Sequence, residues 1–301
     1  MNSACILKMK TKFSYPVAII DVGSNSVRLM IASEIGKQKY TLTSRLAEGM
    51  INNRLATTSI LRTANAVALF FDLALSKRCK SVFIFATAAV RNSDNGNEFC
   101  VKVKNMTGLE VHVVSGKLEA ELALLGALNG KDGKVVDIGG ASTEVAFKEN
   151  GEIVYFESYK VGAVHLKDLY GRDKNSIVFN LQNTFKAPRR TYSGDVFAVG
   201  GTVSTLASML LKLEKFESEK VHGYFISKQA LACLVDELFE LSFEEISQKY
   251  PTAKPRADVI SGGAQILYEL LNCYNFNGVY VSESDNLEGY LEYLKNEEAK
   301  D

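Results

Sequence analysis

The sequence predicts an α/β fold in two domains built on a duplication, and three observations carry that expectation. With 301 residues, 47% of them hydrophobic and only four prolines, the chain is long for one core. Two domains of about 120 to 180 residues are expected. The early stretch AIIDVGSNSVRLMI (18–31) can be laid on KVVDIGGASTEVAF (134–147) so that Asp21 meets Asp137, Gly23 meets Gly139 and Ser26 meets Ser142, all at one offset, 137 − 21 = 116. Strand-like and helix-like segments then alternate after each copy. The expected division is 1–128 and 129–285, with a C-terminal helix near 286–301 returning to the first domain.

In the first copy, an apolar strand ends at Asp21, a tight turn follows, and strands are expected at 27–33 and 40–46. A helix with apolar spacing covers 59–76, and then come the strand SVFIFAT, a helix at 97–106 and the strand EVHVVS. SGKLEAELALLGALNG reads as a helix beginning near Ser115 and ending by Gly130. The second copy has its strand end at Asp137, with further strands at 144–148 and 152–159. A helix at 177–185 precedes the basic loop KAPRRTYSG, and the strand DVFAVGG opens through GGTVSTLASMLLKL into a helix. After Ser227 the chain reads as mostly helical, with one late strand, GVYVSES, and a charged final helix.

Composition narrows the chemistry. Formal charge is zero and the pI is about 6.8, so no global field points to nucleic acid or an anionic membrane. Five cysteines, with no CxxC pair, read as reduced thiols of a cytoplasmic protein. The N-terminal stretch has lysines but no signal-like apolar core, and no segment reads as a membrane span. The three histidines have no metal-ligand spacing; His112 reads as structural, and His222 as structural or cleft-lining.

The turns carry the chemical signal. Glycines at 139 and 140 are expected to let the backbone take positive φ and approach a ligand, so that successive amides form an anion nest. Gly200, Gly201 and Thr202 make a third glycine turn, at a helix N-terminus. Three such turns suit two lobes closing on a phosphorylated ligand. An acid beside a phosphate nest needs an explanation: Asp21 and Asp137 either cap their turns or hold a divalent cation such as Mg²⁺ that neutralises phosphate oxygens. Arg91, with Thr87, suits a phosphate fork or a surface ion pair, and Arg28 has the same ambiguity. Glu119 complements a helix dipole or, with Glu144, orients a water and takes its proton. Lys186, Arg189 and Arg190, with Lys167 and Arg172, form a basic strip or a solvated loop.

Together DVGSNS, ATAAVR, SGKLEAEL, DIGGASTE, KVGAVHL, AVGGTVSTLA, VHGYFIS and RADVISGG, in this order, resemble the exopolyphosphatase/guanosine pentaphosphate phosphohydrolase (Ppx/GppA) family over most of the chain. The resemblance implies the two-domain actin-like fold of sugar kinases and Hsp70, with duplicated ribonuclease H-like domains and an interdomain cleft. It also implies a magnesium-dependent hydrolase taking the terminal phosphate from inorganic polyphosphate or from pppGpp, with a homodimer in keeping with the family. By the same resemblance Glu119 is the base that activates water, Glu144 a second essential carboxylate and Asp137 the magnesium-linked acid. Phosphate is expected at Gly23, Ser24, Asn25 and Ser26, at Arg91, at Gly139, Gly140, Ala141, Ser142 and Thr143, and at Gly200, Gly201 and Thr202. Two positions depart from the family pattern: Ala141 stands where a third glycine is usual, and Leu287 where an arginine is usual. The chain also reads as a short form without the family's C-terminal helical region, so processive digestion of long polymer is not expected. A kinase-like phosphotransferase and a non-catalytic guanosine tetra- or pentaphosphate sensor are the competing classes.

Overall fold

The computed structural model describes residues 13–189, 192 and 194–298; Cys5, Arg190 and the lysines at 8, 10 and 12 lie outside them. The chain divides into two compact units, Met1–Ser115 with Tyr290–Asp301, and Gly116–Gly289.

The first unit runs β1 (Val17–Val22), β2 (Ser26–Ser33), β3 (Gly36–Thr43), α1 (Thr57–Ser76), β4 (Ser81–Ala86), α2 (Ala88–Arg91), α3 (Gly96–Thr107) and β5 (Val111–Val113). Its sheet has the order β3-β2-β1-β4-β5. β1 pairs antiparallel with β2 and parallel with β4. Every residue of β1 is buried, which is why its sequence is a near-continuous apolar run and not an alternating one. α1 buries Ile60, Ala64, Val67, Phe70 and Ala74 at helical spacing. It is long and apolar enough to cross a membrane by length and composition, but it carries Arg62 and Asp72 and buries this stripe in the unit. Three residues form β5, fewer than the sequence suggests. Residues 88–91 make a helical turn, so Arg91 lies just past the strand, at the end of α2.

The second unit runs α4 (Gly116–Leu128), β6 (Gly133–Ile138), β7 (Thr143–Glu149), β8 (Glu152–Tyr159), α5 (Ala163–Tyr170), α6 (Lys174–Thr184), β9 (Val196–Val199), α7 (Gly201–Leu210), α8 (Ser218–Val221), β10 (Phe225–Ser227), α9 (Lys228–Glu240), α10 (Phe243–Lys249), a 3-10 turn (Pro251–Arg256), α11 (Ile260–Cys273) and β11 (Gly278–Val281). Its sheet order is β10-β11-β9-β6-β7-β8. Setting β10 aside, this repeats the first unit strand for strand, with β6, β7, β8, β9 and β11 in the places of β1, β2, β3, β4 and β5. The duplication seen in the sequence is thus a duplication of topology. α12 (Asn286–Glu298) begins in this unit and ends in the first, where Tyr290 stacks on Phe85 with ring centroids 4.6 Å apart and meets His112 Nδ1 at 2.9 Å.

Both faces of the second sheet are covered. Val136, Ile138 and Val145 belong to a large core with α7, α9 and α11, whereas Val135, Ala146 and Val199 pack with Ala120, Ala123, Leu124 and Leu128 of α4. α4 thus groups with the second unit, although the sequence analysis places it in the first half. Successive strand residues face opposite sides, so Asp137 and Glu144, in step with Val135 and Ala146, lie on the α4 face.

Candidate active site

β6 and β7 form a hairpin in which Asp137 and Glu144 are direct partners, and Glu144 is in turn paired with Ser158 of β8. Directly opposed side chains project to the same face. Glu119 sits in the first turn of α4, which covers that face. Its helix comes in close because Gly116 has no side chain; a Cβ there would meet Ser158 Oγ at 3.2 Å. The outcome is a group of three buried carboxylates, Glu119, Asp137 and Glu144, each with one ligand atom within 4.8 Å of the others.

Burial and then the neighbouring charges of Glu119 and Asp137 push the Glu144 carboxyl well above its ordinary range, against the opposing hydrogen bonds from Ser158 and Ser142. Ser158 Oγ donates to Glu144 Oε1 at 2.8 Å. Asn286 Nδ2 donates to Asp137 Oδ2 at 2.8 Å. Carboxylates crowded in a low-dielectric site repel, and a divalent cation would relieve that repulsion. Three hard oxygen donors fit Mg²⁺ by chemistry and by spacing.

The turn beside them is held from behind. Gly139 N donates to Ser142 O at 3.0 Å, while Ala163 N donates to Gly139 O at 3.0 Å and Val164 N and His165 N donate to Gly140 O at 2.9 and 3.0 Å. The C=O and N–H of one peptide unit point in opposite directions. With both carbonyls turned toward the start of α5, the amides of Gly140 and Ala141 face away from it, the arrangement an anion nest requires. Ala141 keeps this amide, so the missing glycine costs the turn nothing. The expected positive φ is not found at Gly139 or Gly140; of the three turns only Gly200 has it, at 95°. The second turn instead needs glycine for close approach. A Cβ at Gly139 would meet Ser142 O at 3.1 Å, and one at Gly162 would meet Gly140 C at 2.4 Å. Thr143 Oγ1 is engaged by Val161 O at 2.7 Å, so its hydroxyl proton serves the fold.

The first unit repeats this turn. Gly23 N donates to Ser26 O at 3.0 Å, Ala47 N to Ser24 O at 3.0 Å, and Ser44 N and Arg45 N to Asn25 O at 3.0 and 2.8 Å. The amides of Asn25 and Ser26 accordingly point away from the 44–47 loop. Asp21 differs from its counterpart: Arg28 donates to its Oδ2 through Nε at 2.9 Å and through Nη2. Of the two acids expected to hold a cation, Asp137 therefore stands among further carboxylates, and Asp21 stands against a guanidinium. Arg91 Nη1 donates to Val114 O at 3.0 Å.

At the third turn the sequence analysis missed a cation. Arg256, at the end of the 3-10 turn, lies over Gly201, where a Cβ would come within 2.1 Å of Nη2. It belongs to the quoted RADVISGG motif, the one signal that points to it. The basic strip is not a strip. Arg172 Nη2 donates to the carbonyls of Leu238, Phe239 and Leu241, at 2.6, 3.1 and 2.6 Å, where it caps the end of α9. Lys167 is paired with Asp258 at 2.7 Å. Lys186 and Arg189 are exposed on the loop.

Residues 23–294 match the model of the Ppx/GppA phosphatase family. The chain is 29% identical to a bifunctional 3-dehydroquinate synthase/phosphatase of Fusobacterium nucleatum over 94% of its own length and 47% of that protein. It is 28% identical to exopolyphosphatase 2 of Mycobacterium tuberculosis, covering 91% of this chain and 96% of that one. It is also 28% identical to a guanosine-5′-triphosphate,3′-diphosphate pyrophosphatase of Vibrio atlanticus, covering 84% and 54%. The chain thus spans about half the length of the Fusobacterium and Vibrio relatives. Among solved structures, the Aquifex aeolicus Ppx/GppA family member matches with a TM-score of 0.72 at 28% identity, over 93% of this chain and 98% of that one. With its two repeated α/β units and this match over most of its length, the chain belongs to the Ppx/GppA phosphatase family.

Proposed function

We propose that the chain is an exopolyphosphatase that hydrolyses the terminal phosphoanhydride of inorganic polyphosphate with Mg²⁺. The observation that carries this reading is the buried Glu119–Asp137–Glu144 group beside a glycine turn whose amides face outward. Hydrolysis forms a P–O bond from water to the terminal phosphorus and breaks the bond to the bridging oxygen, and the water must lose a proton. Glu119, fixed at the start of α4, takes that proton. Glu144, held by Ser158 and Ser142, orients the water's approach, and Asp137 with Glu144 would hold the cation. When bound, Mg²⁺ supplies the charge that offsets the phosphate oxygens. The amides of the Gly139–Thr143 turn hold phosphate, and the same role is assigned to Gly23–Ser26 and Arg91 in the first unit and to Gly200–Thr202.

A second reading, pppGpp 5′-phosphohydrolase, is favoured by the guanosine pentaphosphate pyrophosphatases that match at the same identity as the mycobacterial exopolyphosphatase. A pure binding protein has little use for three carboxylates in one buried group.

Phosphate release measured with Mg²⁺ on short polyphosphate, long polyphosphate and pppGpp in parallel, with Glu119→Gln as control, separates these. Release from polyphosphate that the variant abolishes supports the proposal, and release from pppGpp alone moves the assignment to the second reading. No release from any substrate, with tight guanosine tetraphosphate binding, sinks both in favour of a sensor.

A further inference from the structure

Asn286 is the first residue of α12 and is 4% exposed. Its place is fixed by the helix start, where Leu287 N donates to Asp285 Oδ1 at 3.0 Å and Asp285 N donates to Glu288 Oε2 at 3.1 Å. Its Nδ2 donates to Asp137 Oδ2 at 2.8 Å. An ionised carboxylate only accepts, so the nitrogen of the amide must be the atom that faces it. The other oxygen of Asp137 lies against Gly200, where a Cβ would come within 2.9 Å of Oδ1. Both oxygens of Asp137 are thus constrained, one by a donor and one by shape. Asn286 Oδ1, by contrast, accepts no hydrogen bond from any described residue. A buried amide oxygen without a donor is unfavourable, and the planar amide keeps it next to the same carboxylate.

We propose that Asn286 is a positioning residue of the cation site: its amide nitrogen fixes the Asp137 carboxylate toward Glu119 and Glu144, and its amide oxygen accepts from water in the hydration shell of a bound divalent cation. This rests on the reading that Asp137 holds such a cation. The chain itself supplies the contrast. In the first unit a cationic donor, Arg28, meets the equivalent acid; the donor from Asn286 to Asp137 is neutral, so it orients the carboxylate without adding a charge. Leu287, buried where the family pattern has arginine, adds no positive charge beside it. Mg²⁺ keeps several of its waters when it binds, and those waters need acceptors.

The test is Mn²⁺ binding, followed by electron paramagnetic resonance, to the full chain and to Asn286→Ala, Asn286→Leu and Asp137→Asn, with circular dichroism in EDTA to establish the fold. The leucine keeps the volume should the alanine cavity unfold the chain. Both Asn286 variants are expected to bind Mn²⁺ about 10- to 100-fold more weakly, the usual effect of removing a group that orients a ligand. They should also need proportionately more Mg²⁺ for half-maximal phosphate release, with KM for polyphosphate unchanged at saturating Mg²⁺. Wild-type Mn²⁺ affinity in both Asn286 variants, with affinity lost in Asp137→Asn, overturns the inference and leaves the cation reading standing. Wild-type affinity in Asp137→Asn as well overturns both.

Discussion

Asp137 and Glu144 occupy the same pair of opposed positions in the β6–β7 hairpin that Asp21 and Arg28 occupy in β1–β2, since 137 − 21 = 144 − 28 = 116. One duplicated position has therefore become an ion pair in one unit and a pair of like charges in the other. The ion pair sets a guanidinium directly against the buried acid. The pair of acids, joined by Glu119, brings three carboxylates within 4.8 Å of one another, and such a buried concentration of like charge is the kind of place where functional sites are built.

If Glu119 takes the proton of the attacking water, Glu119→Gln keeps size and hydrogen bonding but loses basicity. Phosphate release should fall by about 10²- to 10⁴-fold while KM changes little and Mn²⁺ binding persists. A loss of less than tenfold would remove Glu119 from the role of base.

Glu144 gives a pH signature in the cation-free protein. Its folded pKa is raised above the ordinary 4.5 by burial and by like charges. Its contribution to stability is therefore fully present below the unfolded pKa and is lost as pH rises through the folded one. Glu144→Gln removes that loss. In EDTA the melting temperature of the variant should rise relative to wild type as pH goes from about 4.5 to 8, by about 2–4 °C per kcal/mol of relieved repulsion, and Mg²⁺ should cancel the difference. A gap between the two proteins that is constant with pH would show that Glu144 is not raised.

Arg28 makes the opposite case. Asp21 is buried and Arg28 partly so, so removing the guanidinium leaves a buried carboxylate without its charged donor. Arg28→Ala should lower stability by about 1.5–3 kcal/mol. The double variant with Asp21→Asn should recover most of it, because the uncompensated charge goes too. Urea unfolding of the four proteins forms the cycle, and simple additivity of the two losses would refute the pairing.

These pairings show where sequence reading stops. The repeat was legible because β1 and β6 are buried on both faces and end in the same acidic turn, so one offset aligns them. That Asp21 meets Arg28 was not, because a spacing of seven residues says nothing until the hairpin register is known. α4 was legible as a helix but not as part of the second unit. It buries residues on several sides, Ala120, Leu122, Ala123, Leu124 and Leu128 among them, so no single stripe shows what it packs on. α5 and β10 were not anticipated, and Asn286 had no signal, since one asparagine before a charged helix reads as a cap. The glycines of the second turn were read as giving positive φ and close approach; neither has positive φ, and at Gly139 the missing side chain provides room.

Room is also what Gly126 and Gly289 provide, and here two effects of opposite sign can be set against each other. Gly126 lies within α4 and Gly289 within α12, where replacing glycine by alanine ordinarily favours a helix by about 1 kcal/mol. Yet a Cβ at Gly126 would meet Asp285 O at 2.0 Å, and one at Gly289 would meet Leu122 O at 1.9 Å. Both obstacles are backbone atoms, which cannot rotate aside, so the segments must separate by about 1 Å to restore contact distance. Overpacking of this kind costs about 1–3 kcal/mol, enough to outweigh the gain in propensity. Gly126→Ala and Gly289→Ala should each lower the midpoint of urea unfolding. The displacement also moves Leu122, one helical turn from Glu119, and Asp285, beside Asn286. Phosphate release at a temperature where both variants remain folded should therefore fall as well, with a higher Mg²⁺ requirement. A variant that unfolds at higher urea than wild type would mean that propensity wins and that this close approach does not hold the site together.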